Sequence, residues 1–130
     1  MATVLNWNQL PPVSVLIAED DDANLFYLHT LLKNADMKVI IAGNGREAVE
    51  FCRNHPEIRI VLMDIRMPEM DGIEATKLIK SFRKELPIIA VTAYAMNGDE
   101  NKAREAGCDD YLTKPLNRML LFDKMRQLIN

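Results

Sequence analysis

Two cysteines in 130 residues, Cys52 and Cys108, with no CxxC string and no Cys/His cluster, leave a disulfide scaffold or a zinc centre without support. A reducing, cytoplasmic setting fits. With only 5 Gly and 6 Pro, the chain is not collagen-like or low-complexity. Basic residues are not in excess either: 16 Lys and Arg stand against 19 Asp and Glu, a formal net charge of -3. This argues against nucleic-acid or anionic-membrane contact by this chain alone. Apolar runs reach about seven residues where a membrane span needs ~20, and the first residues lack a basic region followed by an apolar one. A soluble, non-secreted protein is expected. What remains is 48% hydrophobic and 27% charged, the make-up of an ordinary folded domain, in a length that supports one core.

Residues 1–12, MATVLNWNQLPP, carry no sustained periodicity and end in Pro11-Pro12, which resists helix; they read as a lead-in or linker to a domain over 13–130. Short apolar runs then alternate with stretches of helical period. Strands are expected at Val13 to Ala18, Met37 to Ala42, Ile58 to Met63, Pro87 to Val91 and Tyr111-Leu112. Helices are expected at about 22–34, 45–54, 72–84, 98–106 and 116–129. The strands are nearly continuous apolar runs, as a parallel sheet covered on both faces requires, whereas helical apolar residues recur at i, i+3, i+4 (Leu25, Leu28, Leu32; Ala75, Leu78, Ile79, Phe82). The reading is a three-layer α/β sandwich. Gly45, Gly72, Gly98 and Gly107 fall at element ends, where left-handed backbone or a tight turn favours glycine. The fourth helix has only Ala103 and Ala106 as apolar residues and should be the most mobile. The last carries more apolar surface than one sheet-facing stripe needs, so part of it should meet a partner or the fourth helix.

In an open α/β sheet, ligands bind beyond the carboxyl ends of the strands. There the sequence places Glu19-Asp20-Asp21-Asp22 after the first strand, Asp64 after the third, Thr92 after the fourth and Lys114-Pro115 after the fifth. With strand order 2-1-3-4-5 these sites converge on one pocket. Clustered carboxylates repel one another unless a cation sits among them, and oxygen-only ligands favour a hard ion such as Mg²⁺, with Mn²⁺ as an alternative. No GxGxxG or GxxxxGK[ST] string offers a phosphate cradle instead.

The strings IAEDDDAN, LMDIRMPEMDG, AVTAYA and AGCDDYLTKP, in this order over residues 13 to about 129, resemble the response-regulator receiver domains of two-component signalling. The wording of MPEMDGIEATKLIK and IIAVTAYAM is similar to receivers fused to hybrid sensor histidine kinases. The resemblance implies a flavodoxin-like (βα)5 fold and a phosphoryl group accepted on Asp64 from a histidine kinase or histidine phosphotransfer domain. It implies Mg²⁺ organised by Glu19 through water, directly by Asp20 and Asp64, and by the backbone carbonyl of Arg66. Glu19 stands where Asp is commoner. Thr92 would hydrogen-bond a phosphoryl oxygen, Lys114 would pair with Asp64 or its phosphate, and Tyr111 would be the aromatic switch on a helix 4/strand 5/helix 5 face, a face that could also mediate a dimer. Arg66 and Tyr94, two residues after Asp64 and Thr92, are the bulky side chains placed to shield the acyl phosphate from water.

Plainer readings compete. Asp22 reads as a helix N-cap, His29 and His55 as ordinary surface or partly buried residues, and Met63, Met67 and Met70 as packing around Asp64. An aspartate-nucleophile phosphatase would need a second carboxylate two residues after the nucleophile, where Arg66 stands. A flavodoxin-like electron carrier would bind a flavin phosphate in the first loop, which four acids would repel. A phosphorylation-independent interaction module is disfavoured by the complete set of pocket residues.

Overall fold

The computed structural model describes residues 13–93 and 98–129; the lead-in at 1–12 and Tyr94 lie outside the described residues. Five strands, β1 (Ser14–Ala18), β2 (Lys38–Ala42), β3 (Ile58–Asp64), β4 (Ile88–Thr92) and β5 (Asp110–Thr113), alternate with five helices. These are α1 (Asp22–Asn34), α2 (Gly45–Asn54), α3 (Gly72–Phe82), α4 (Asp99–Ala106) and α5 (Arg118–Ile129). All strand pairs are parallel and the sheet order is β2-β1-β3-β4-β5. Among the described residues, no helix is long and apolar enough to cross a membrane.

Strand alternation divides the core in two. Val15 and Ile17 of β1 and Ile60 and Leu62 of β3 face Leu28 and Leu32 of α1 and Leu121, Phe122 and Met125 of α5. Leu16, Ala18, Val61 and Met63 face the other way, onto Ala48 and Cys52 of α2, Ala75 and Ile79 of α3 and Ala103 of α4. Each fully buried Leu or Ile contributes about 1.5–3 kcal/mol, so the double layer of apolar strand residues is the main stabilising element.

Several local details differ from the sequence reading. Asp21, not Asp22, caps α1: its extended backbone lets the carboxylate accept the Asn24 N–H at 2.9 Å, leaving Asp22 as the first helical residue. α3 ends at Phe82, because Arg83 turns out of the helix to serve as its C-cap. β2 is apolar in sequence yet partly exposed, with Ile41 at 40%, because it is an edge strand. On α3, Leu78 is exposed while Ala75 and Ile79 are buried. The surplus apolar surface expected on α5 is present, Met119 being 62% and Leu120 47% exposed.

Candidate functional site

Backbone ladders deliver the functional side chains to one end of the sheet. The Glu19 amide donates to Ala42 O beyond β1, Ile65 to Val91 O beyond β3, and Lys114 to Thr92 O beyond β5. Each loop therefore starts from a fixed point. Gly72 keeps the turn after β3 tight: its N–H donates to Ile65 O at 2.8 Å, and a Cβ there would collide with the backbone carbonyl of Asp64. The Lys114-Pro115 bond is cis.

Glu19 and Asp64 are buried and Asp20 is exposed, and one carboxylate oxygen from each lies within 4.8 Å of the other two. Lys114 Nζ spans the buried pair, 2.9 Å from Glu19 Oε1 and 3.2 Å from Asp64 Oδ2. The remaining oxygens accept backbone amides, Glu19 Oε2 from Asp21 N–H at 3.1 Å and Asp64 Oδ1 from Arg66 N–H at 3.2 Å. Burial raises the Glu19 pKa and the adjacent Asp64 carboxyl raises it further, against the lowering pull of Lys114 and the Asp21 amide. Burial disfavours the Lys114 ammonium, but the Glu19 hydrogen bond and the Asp64 charge outweigh it and hold its pKa above the usual lysine value. Oxygen-only donors at this spacing, one of them open to solvent, fit a hard divalent cation.

A second group lies beside the first. Thr92, fully buried at the end of β4, donates its hydroxyl to Asp99 Oδ2 at 3.3 Å. The Arg66 guanidinium reaches the same carboxylate, at 3.2 and 3.3 Å from its two oxygens. The Asp99 side chain is 4% exposed and that of Arg66 50%. A cleft of about 500 Å³ opens here, with Asp20, Arg66, Asp71, Asp99 and Lys102 on its walls. The sequence reading missed Asp99; its only signal was an acid after Gly98 at the start of a polar helix. Tyr111 is buried, and its hydroxyl has no hydrogen-bond partner among the described residues. Burial, then the charges of Asp99 and Glu100, lift its pKa above the usual tyrosine value. The ring expected to act as the aromatic switch is therefore buried in this structure. Met63 is core, and Met67 and Met70 pack against it. His55 pairs with Glu57 on the surface.

A family model described as the response regulator receiver domain matches residues 15–126. The chain belongs to that family. As a receiver, it is a module of two-component phosphorelay signalling, with the five-stranded 2-1-3-4-5 architecture of its structural neighbours. It is 40% identical over 127 residues to hybrid signal transduction histidine kinase I of Dictyostelium discoideum, a match covering 92% of this chain and 7% of the kinase. The chain therefore spans a small part of that relative. The receiver domain of a sensor histidine kinase from Pseudomonas aeruginosa PAO1, solved with a magnesium ion in its active-site cleft, superposes with a TM-score of 0.85 at 31% identity, covering 92% of this chain and 98% of that one. The receiver domain of a Saccharomyces cerevisiae response regulator, solved with its histidine phosphotransfer protein, gives a TM-score of 0.80 at 35% identity, over 88% and 86% of the two chains.

Proposed function

We propose that this receiver accepts a phosphoryl group on Asp64 from a phosphohistidine. The observation that carries the reading is the buried Asp64 carboxylate held by Lys114 within the acidic triad. The Asp64 oxygen attacks phosphorus in line, the P–N bond to the donor imidazole breaks, and the product is an aspartyl phosphate. Lys114 stays beside it as a counter-charge, and Thr92, next along β4 from the Val91 that pairs with Asp64 across the sheet, is the hydroxyl recruited to a phosphoryl oxygen. Glu19, Asp20, Asp64 and the Arg66 carbonyl would hold Mg²⁺, with Mn²⁺ as a substitute. A cation bound there supplies positive charge against the phosphoryl oxygens in the loose transition state.

The donor is a histidine kinase or a histidine phosphotransfer domain; the yeast pair supports the second. A shallow depression bounded by Asp22, Leu25, Phe26, His29 and Ile41, with Phe26 74% exposed, offers the donor an apolar seat on the α1 side of the acids. The exposed Met119 and Leu120 leave apolar surface on α5 for a partner, and a dimer through the α4/β5/α5 face is part of this proposal. The free, buried Cys52 and Cys108 suit a cytoplasmic setting, and the Dictyostelium relative supports a place within a hybrid histidine kinase. Incubation with Mg²⁺ and acetyl phosphate should add one phosphoryl group by mass spectrometry. Retained addition in Asp64→Asn, or equal addition in excess chelator, overturns the assignment.

A further inference from the structure

Asp99 is the one buried carboxylate at this end of the sheet, among the described residues, that lies outside the acidic triad. Its two oxygens collect the Thr92 hydroxyl and the Arg66 guanidinium, the side chains of two residues that flank the acceptor. The contact joins β4, the loop after β3 and the first turn of α4, since Asp99 is the first residue of that helix after Gly98 in the left-handed region. Resting on the acceptor reading above, we propose that Asp99 is the resting-state partner of Thr92 and Arg66, from which a phosphoryl group on Asp64 must take them.

The competition follows from donor counts. A threonine hydroxyl has one proton to give, so Thr92 serves either Asp99 or a phosphoryl oxygen. A phosphoryl group brings three strong acceptor oxygens and a charge of about −1.5 to −2, so it outbids one carboxylate for a hydroxyl and draws on the guanidinium as well. The half-exposed Arg66 can be redirected without disturbing the core, whereas Asp99 is buried and fixed at the head of α4. When its donors leave, the first turn of α4 loses its tie to β4, and occupancy of Asp64 becomes a change in how α4 is anchored. Asp99 is thus a positioning residue: it touches neither the acceptor nor its phosphate, and acts through the two side chains it holds.

The test uses beryllium fluoride, a mimic of the phosphoryl group, with Mg²⁺ on the full chain, its binding followed by ¹⁹F NMR. Asp99→Asn should bind the mimic about tenfold more tightly, the scale of one released charge-assisted hydrogen bond, and Asp99→Ala should move the same way. In an Arg66→Ala, Thr92→Ala background the same substitution should change affinity by less than about twofold. Unchanged or weaker binding by Asp99→Asn, or an equal gain in that background, overturns the proposal; a role confined to supporting α4 would give the equal gain or a loss. A wild-type measurement needs no variant to fold: the Asp99 side-chain carboxyl ¹³C resonance should shift when beryllium fluoride binds, and a static resonance refutes the exchange of partners. If wild type takes up no mimic, or Asp64→Asn takes up as much, the acceptor reading falls and this one with it. Uptake by wild type without tightening in Asp99→Asn removes this inference alone.

Discussion

The two ends of the sheet handle buried polar groups in opposite ways. At the amino ends of β3 and β4, Arg83 donates to four backbone carbonyls, those of Cys52 and His55 at 3.1 Å, Ile58 at 2.7 Å and Pro56 at 3.4 Å. Nearby, Asp109 Oδ2 accepts both the Ile88 N–H at 2.8 Å and Lys80 Nζ at 2.9 Å. Every acceptor around Arg83 is fixed by the chain path, so the cation has one arrangement. At the carboxyl ends, Lys114 bridges the carboxylates of Glu19 and Asp64 and Arg66 holds that of Asp99, with Asp20 beside the buried pair, so both cations there are held by side chains. Negative charge exceeds positive there, and Lys114 has two carboxylates in reach. One end is built to hold and the other to respond to an added charge.

Substitution should separate the two ends most clearly in stability. Arg83→Ala strands several carbonyls and should lower unfolding free energy in urea by about 2–4 kcal/mol, while Asp64→Asn relieves like-charge crowding and should leave it equal or higher by about 1 kcal/mol. A destabilised Asp64→Asn would erase the contrast. Next in size is the response to Mg²⁺. At a concentration 100-fold above its Kd, stabilisation should reach about 2.7 kcal/mol, visible as a rise in Tm. Arg83→Ala should keep this response and Asp20→Asn should lose most of it, with its metal-free form melting no lower; a full response in Asp20→Asn would remove that residue from the ligand set.

A smaller effect concerns the lifetime of the acyl phosphate. Replacing both Arg66 and Tyr94 by Ala should shorten the dephosphorylation half-life severalfold by opening the path of water, and an equal or longer half-life would refute shielding. The smallest is alkaline. Burial pushes the Cys52 thiol up to about 11, against the opposing charge of Arg83. Between the ordinary thiol pKa of 9.0 and that value the unfolded chain loses its proton first, so the folded state binds more protons and loses stability as pH rises. Relative to Cys52→Ala, the wild type should lose about 1 kcal/mol between pH 8 and 10; a flat difference would place the thiol in a more polar site.

The order of strands and helices was legible because each signal is local. VLIA and IVLM must be buried on both faces, helical spacing marks Leu28 and Leu32, and glycines punctuate the ends. The acids after β1, Asp64, Thr92 and Lys114 could be read for the same reason: each ends a strand or directly follows one, and parallel strands bring their ends to one edge. Which acid capped α1 was a choice between neighbours that backbone angles decided in favour of Asp21. The exposure of Ile41 came from the place of β2 at the sheet edge, which its composition does not encode.

Sequence by itself thus determined the alternating fold and the chemical types at the strand ends, since periodicity and chain direction act over a few residues. Tertiary structure alone decided the pairings. Arg66 meets Asp99 across 33 residues, Lys114 meets Asp64 across 50, and Arg83 meets Ile58 across 25. Its place after Gly98 is the one local mark that sets Asp99 apart from the other acids of that polar helix. Its burial between Thr92 and Arg66 exists only once β4, the loop after β3 and α4 have packed, because a charge–hydrogen-bond partnership depends on distances of about 3 Å that separate segments meet only in the finished fold.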